Sequence, residues 1–201
     1  MSKPWLIVPV KPFAEGKSRL GDELPSVERA ALSRRLLEHV LATAATDDFF
    51  AVRLIVSRDV CLKSLAARYG ARLLAEHGNT LNLALEQARR LALQEAAPAI
   101  LILPSDLPRL QSSDLTALLT AGAGAPAAVI SPSQDGGTNA LLLRPPYLLP
   151  FAFGPDSFAR HCELANQAGV PPTIIQTPTL AFDLDTPRDL AEMKKEQFWS
   201  G

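Results

Sequence analysis

Short apolar runs alternate with stretches of helical periodicity along nearly all of the 201 residues, and few folds accept that order. A β-branched or aliphatic run bounded by turn residues reads as a buried strand, and apolar residues three and four apart read as a helix with one buried face. Trp5-Leu-Ile-Val-Pro-Val10 is the first strand, and Lys11 to Leu24 is a polar loop. Ser26 is placed to cap a helix from Val27 in which Leu32, Leu36, Leu37, Val40, Leu41 and Ala44 share a face. Val52 to Val56 predicts a second strand, Val60 to Tyr69 a helix stopped by Gly70, and Arg72 to Ala75 a third strand. Leu81, Leu85, Ala88 and Leu91 or Ala92 mark the next helix, Ala99 to Leu103 a central strand and Ser112 to Thr120 a short helix. Ala127 to Ser131 and Ala140 to Leu143 are strands separated by a Gly136-Gly137 turn. Asp156 to Ala168 is a helix, Thr173 to Gln176 a strand, and Thr186 caps a last helix with Pro187 at its first position. This order predicts an α/β fold, an open sheet with helices on both faces, as one domain over residues 1–201. The Pro-rich stretch from Arg144 to Pro155 is the longest irregular one and is expected to cross the active-site face.

A formal net charge of −1 argues against a general nucleic-acid or membrane-surface binder. No stretch has the length of a membrane span, and the start lacks a signal-peptide pattern. Cys61 and Cys162 fall in helix-like segments without metal spacing, and reduced thiols of a cytoplasmic protein are expected. The oligomeric state is left open, a homodimer being one option.

Three carboxylates stand where apolar runs end. Asp106 follows Ala99-Ile-Leu-Ile-Leu-Pro-Ser, and Asp183 and Asp185 flank a leucine in Ala181-Phe-Asp-Leu-Asp-Thr-Pro187. On extended backbone, residues i and i+2 face the same way, so Leu184 enters the core while both carboxylates face one side. Three such groups on one point repel unless a cation sits among them, and Mg²⁺, a hard ion that retains sites for phosphate oxygens, suits them. For Asp185 the other reading is anionic capping of the helix that follows. Ligands of open α/β sheets lie at the carboxyl ends of strands, where Asp106 and the loop after the first strand meet. That loop is basic: residues 1–20 hold Lys3, Lys11, Lys17 and Arg19 against Glu15, a local charge of +3. Lys11, Lys17 and Arg19, with amides around Gly16, can cradle a triphosphate, although the Gly-x4-Gly-Lys-Ser spacing of a P-loop is missing. A plain solvated loop is the alternative.

Gly136-Gly-Thr-Asn139 reads as a flexible turn, and Phe153-Gly-Pro-Asp-Ser-Phe158 opens a helix whose first amides suit an anion. Thr138, Gly154 and Ser157 are candidates for a small anionic substrate, with Asp156 as an N-cap competing for the same amides. Asn79 and Asn82 precede or open a helix, where contact with a nucleoside competes with capping. His39, His77 and His161 show no ligand spacing, and no nucleophile–base set can be assembled. A phosphomonoester, largely dianionic at neutral pH, needs no base to act as a nucleophile. Carboxylates and lysines without a base therefore point to attack of one phosphate on another.

Val8-Pro-Val-Lys11, Lys17-Ser-Arg-Leu20, Leu103-Pro-Ser-Asp-Leu-Pro108, Asp135-Gly-Gly-Thr-Asn139, Phe153-Gly-Pro-Asp-Ser-Phe158 and Asp183-Leu-Asp-Thr-Pro187 occur in this order. Together they resemble the 2-phospho-L-lactate guanylyltransferase family of deazaflavin coenzyme F-420 biosynthesis. The resemblance implies a single-domain, three-layer αβα nucleotidyltransferase fold with a mixed, mostly parallel sheet, like that of the nucleotide-diphospho-sugar transferases. It implies transfer of GMP from GTP to a small phosphorylated carboxylic acid: 2-phospho-L-lactate, phosphoenolpyruvate or 3-phospho-D-glycerate. It further implies Mg²⁺ on Asp106, Asp183 and Asp185, the acid on Thr138, Gly154 and Ser157, Lys11 and Lys17 at the GTP phosphates, and Asn82 near the nucleoside. With Arg19 these are the candidate nucleotide contacts, and Asp106, Lys17 and Lys11 the candidate catalytic groups. Transfer to a sugar phosphate or a molybdenum cofactor precursor, and a catalytically lapsed GTP-binding protein, are the competing readings.

Overall fold

Among residues 2–195, which the computed structural model describes, seven strands pair into one sheet. They are β1 (Trp5–Pro9), β2 (Val52–Ser57), β3 (Arg72–Ala75), β4 (Ile100–Ile102), β5 (Ala127–Pro132), β6 (Thr138–Arg144) and β7 (Thr173–Ile174), in the order β3-β2-β1-β4-β6-β5-β7. Only β6 runs antiparallel to its neighbours, β4 and β5. The helices are α1 (Ser26–Ala45), α2 (Lys63–Arg68), α3 (Leu81–Gln94), α4 (Ser112–Ala121), α5 (Ser157–Gln167), α6 (Pro178–Ala181) and α7 (Pro187–Lys195). The fold is the expected mixed, mostly parallel α/β sheet.

Strand alternation divides the interior into two layers. Leu6, Val8, Ile55, Leu101 and Leu142 pack with Leu37 and Leu41 of α1 and Leu115 and Leu118 of α4. Trp5, Ile7, Leu54, Ile100, Ile102 and Leu141 pack with Ala84, Leu85 and Ala88 of α3 and Ala165 of α5. A third cluster matters most for the site: Leu20, Leu32, Leu36, Phe182, Leu184 and Leu190 join the loop after β1, α1, and the segment that enters α7. The chain leaves β1 for β2 and β3 on one side and returns to β4 on the other, so the switch point falls between β1 and β4.

Three local expectations are corrected, and one helix was not foreseen. Ser26 is not a cap: α1 begins at Ser26, extended Pro25 stands in the capping position, and no side chain caps the helix. Thr138 and Asn139 belong to β6 rather than to the turn, because their backbone continues the pairing with β5 (Thr138 opposite Pro132). α6, a single turn opened by Thr177 and Pro178, lies in a stretch that shows no helical period. The Arg144–Pro155 stretch does not hang over the site: Leu148, Leu149, Phe151 and Phe153 pack into the α3/α5 layer. Its far end, Phe153 and Gly154, leads into α5 and lines neither cleft described below.

Candidate active site

The loop after β1 is drawn tight by Pro12, whose carbonyl accepts from the amides of Glu15 and Gly16 at 2.8 and 3.1 Å. Lys17 follows in the left-handed region at φ 53°, and the 3₁₀ turn Ser18–Leu20 then drops fully buried Leu20 into the third cluster. A non-glycine residue in that conformation costs about 1–2 kcal/mol, and here the conformation turns Lys17 inward. Its side chain is 7% exposed, and Nζ donates to Asp106 Oδ2 at 2.6 Å and stands 3.8 Å from Asp185 Oδ1. Arg19, two residues on, donates to Asp185 Oδ2 at 3.0 Å.

The carboxylates arrive from two directions. Asp106 follows the carboxyl end of β4, and its carbonyl accepts from the Leu184 amide at 3.0 Å, which stitches the two acidic segments together. Leu184 is fully buried, as expected. Asp185 does not cap α7. Thr186 and Asp189 do, the Asp189 carboxylate accepting from the amides of Asp185 and Thr186 at 3.1 and 2.7 Å. Asp183 accepts from the Asn139 amide at 3.2 Å. Burial, and then repulsion from Asp106, push Asp183 up to about 6, with Asp135 adding to it and the Asn139 hydrogen bond opposing. Asp135 goes the other way, held below the usual carboxylate range by the Ser133 hydroxyl and the Gly137 amide.

Asp106 and Asp185 thus meet at the Lys17 ammonium, and Asp183 stands close enough to Asp106 to be repelled by it. Among the described residues they do not close into a ready metal cage. Asp183 is raised first by burial and then by repulsion from Asp106 and Asp135. Carboxylate oxygens that repel one another are the donors a hard divalent ion takes.

Two clefts meet at these carboxylates. The first, about 290 Å³, is lined by Lys11, Gly16, Lys17 and Asp106, by Arg58, Glu76, Asn79 and Thr80, and by Val10, Val56 and Ala84. The second is lined by Arg19, Asp135, Asp183, Asp185 and Arg188. Asn82 lines neither cleft. Its amide group donates to the Phe153 carbonyl at 3.1 Å and accepts from the Phe153 amide at 2.9 Å. It therefore fastens α3 to the Phe153-Gly154 corner, while its neighbours Asn79 and Thr80 face the cleft.

Thr138 and Ser157 are brought together, with Ser157 Oγ donating to Thr138 Oγ1 at 3.1 Å. Asp156 does not cap α5. It is left-handed (φ 54°), and its side chain accepts no capping bond. The first amides of α5 are nevertheless partly spent: Ser157 donates to Gly154 and Phe158 to Gly136. Gly154, at φ 134°, holds a conformation that side chains rarely adopt. His161, which shows no ligand spacing, is fully buried against this pair, Nδ1 being 3.0 Å from Thr138 Oγ1. Burial, then the neighbouring Arg160 charge, lower it to about 4. Its spacing of four from Ser157, one helical turn, was the available signal. Asn139, Asp135, Arg58 and Glu76 were also missed, and single polar residues at strand ends carry no spacing that marks them.

The family model described as "Guanylyl transferase CofC like" matches residues 5–195. A phosphoenolpyruvate guanylyltransferase of Rubrobacter xylanophilus is 46% identical over 191 residues, covering 94% of this chain and 93% of its own. A 3-phospho-D-glycerate guanylyltransferase of Colwellia psychrerythraea is 32% identical over 187 residues, covering 92% and 88%. In fold, the chain superimposes on a protein from Desulfovibrio desulfuricans described as a nucleotide-diphospho-sugar transferase. The TM-score is 0.80 at 21% identity, over 100% of this chain and 90% of that one. With a match over nearly its whole length, this chain belongs to the CofC-like guanylyltransferase family.

Proposed function

We propose that this protein transfers GMP from GTP to phosphoenolpyruvate with Mg²⁺, releasing pyrophosphate, as a cytoplasmic step towards coenzyme F-420. The observation that carries the reading is Lys17 held between Asp106 and Asp185 where the two clefts meet. Phosphoenolpyruvate is favoured among the acids because the 46% identical relative is named for it. 3-Phospho-D-glycerate is the second reading, from the 32% identical relative, and 2-phospho-L-lactate the third.

In this reading GTP lies in the first cleft, its phosphates towards Lys11 and Lys17. The acid lies near Thr138, Gly154 and Ser157. An oxygen of its dianionic phosphate bonds to the α-phosphorus, the bond from that phosphorus to the bridging oxygen breaks, and pyrophosphate leaves with the electron pair. No proton need be removed from the nucleophile. Asp106, Asp183 and Asp185 would hold Mg²⁺, which when bound supplies neutralising charge between the two phosphate groups. Lys17 opposes the charge of the departing phosphates, and its lock on Asp106 and Asp185 keeps it in place without reorganisation. Mass spectrometry after incubation with GTP, Mg²⁺ and the three acids together tests this. A guanylylated phosphoenolpyruvate as the main product is expected. Product only from a sugar phosphate in a parallel incubation would overturn it.

A further inference from the structure

We infer that His161 is a positioning residue that turns the Thr138–Ser157 pair into a one-way hydrogen-bond donor for the acid substrate. The inference rests on the acid binding at Thr138, Gly154 and Ser157, and it says what makes that place select an anion.

Its force comes from counting protons. The Ala152 amide donates to His161 Nε2 at 3.1 Å, and a backbone amide can only donate, so Nε2 presents its lone pair. The ring is then neutral with its proton on Nδ1, which donates to Thr138 Oγ1 at 3.0 Å. Thr138 Oγ1 also lies 3.1 Å from Ser157 Oγ. His161, Thr138 and Ser157 hold one proton each, and the two bonds among them use two. Whichever hydroxyl donates to the other, one O–H is left over, and among the described residues it meets no acceptor. All three groups are buried: Ser157 is 1% exposed, Thr138 8% and His161 0%. An unmade hydrogen bond in such a place is costly until an acceptor arrives. A phosphate or carboxylate oxygen satisfies it; a hydroxyl or ammonium acting as donor does not.

The ring is held so that it cannot readily rotate out of this arrangement. The Phe153 ring packs edge-on against it, centroids 4.8 Å apart at 70°, and Phe153 is tied in both directions to Asn82. The direction of donation runs Ala152, His161, hydroxyl pair, ligand. Without the ring, Thr138 can turn its proton inward and present a lone pair to the anion instead.

Two substitutions separate this role from packing. His161→Asn keeps an amide donor near the place of Nδ1 but gives up the acceptor for Ala152. His161→Gln keeps an acceptor near the place of Nε2 but moves the donor away from Thr138. Steady-state kinetics with GTP and phosphoenolpyruvate, and calorimetric titration of phosphoenolpyruvate alone, read the outcome. His161→Gln is expected to raise the KM and Kd for phosphoenolpyruvate about tenfold or more, with the KM for GTP within about twofold. His161→Asn is expected to stay within about threefold of the parent for the acid. Equal losses in both variants, a parallel rise in both KM values, or unchanged acid affinity in His161→Gln would overturn the inference. A parent protein that binds phosphoenolpyruvate without transferring GMP would overturn the proposed reaction and leave the comparison of Kd values decisive here. A parent that binds no phosphorylated acid would overturn both.

Discussion

Lys17 is a cation with 7% of its side chain exposed, facing two carboxylates from a backbone conformation that disfavours it. Lys17→Ala would leave Asp106 and Asp185 without their shared cation and remove a fixed charge from the cleft, from its phosphate end under the proposed function. Turnover should fall about a hundredfold or more, the cost of losing one preorganised group, with the KM for GTP rising more than that for the acid. Steady-state kinetics decide it, and the reverse split would put the basic loop on the acid. His161 gives a prediction in pH. Burial holds its folded value near 4, below the ordinary value of about 6.5. A depressed value means its stabilising effect is complete above about 6.5 and is lost as pH falls through about 4. Between those limits the parent should lose on the order of 3 kcal/mol that His161→Asn does not lose, measured as urea midpoints against pH. The residues that sequence reading found and those it missed differ in kind. Asp106, Asp183, Asp185 and Lys17 stand out because charge interrupts or borders apolar runs. His161 and Glu76 are single polar residues whose meaning lies in what faces them across the fold. Asn82 was given to the nucleoside because nothing in the chain reveals that Phe153, 71 residues away, uses both ends of its amide.

At the scale of elements, two helix ends carry testable energy. α3 ends in a closed pair of bonds, Ala97 amide to Ala92 carbonyl at 2.8 Å and Ala96 amide to Leu93 carbonyl at 3.1 Å, with Ala96 left-handed at φ 54°. Glycine is the residue that this corner favours. Ala96 is exposed and supplies no packing, so Ala96→Gly should stabilise the protein by about 1 kcal/mol, seen as a rise of about 2–4 °C in Tm. The start of α7 depends on Asp189, whose carboxylate also accepts from the Thr186 hydroxyl at 2.8 Å. Asp189→Ala should cost about 1–2 kcal/mol and lower turnover as well, because the Asp185 amide loses its anchor. A variant with lower Tm but full activity would show that Asp185 is placed by Leu184 alone. Most elements were legible because each combines a period with a punctuating residue: Gly70 after α2, Thr186-Pro187 before α7. β6 was read two residues short at its start because Gly136 and Gly137 spread their turn character over Thr138 and Asn139. α6 was missed because four residues cannot display a helical period.

Across the whole molecule, the strand order puts β1 and β4 side by side and sends β6 back between β4 and β5. No local pattern dictates that order, since it follows from which apolar faces find each other. It is also what makes one site from distant segments: the switch point collects Lys17 and Asp106, and β6 supplies Thr138 to one neighbour and Asn139 to Asp183. The same arrangement sets Asp183 against Asp106 and Asp135, whose repulsion adds to the effect of its burial, and under the proposed function a divalent ion and a nucleotide relieve it. Mg²⁺ with GTP at about a hundred times their joint Kd should stabilise by roughly 2.7 kcal/mol, or about 5–10 °C in Tm, and addition of EDTA should reverse the gain. Asp183→Asn keeps an oxygen for the Asn139 amide and removes the carboxylate that Asp106 repels. That variant should melt higher than the parent without Mg²⁺, gain little from Mg²⁺ and GTP, and turn over at least about tenfold more slowly. Stability rising while activity falls is the signature of a charge kept for function rather than for folding. A lower melting point without Mg²⁺, together with an undiminished response to Mg²⁺ and GTP, would mean that Asp183 serves the fold and that the ion is held elsewhere.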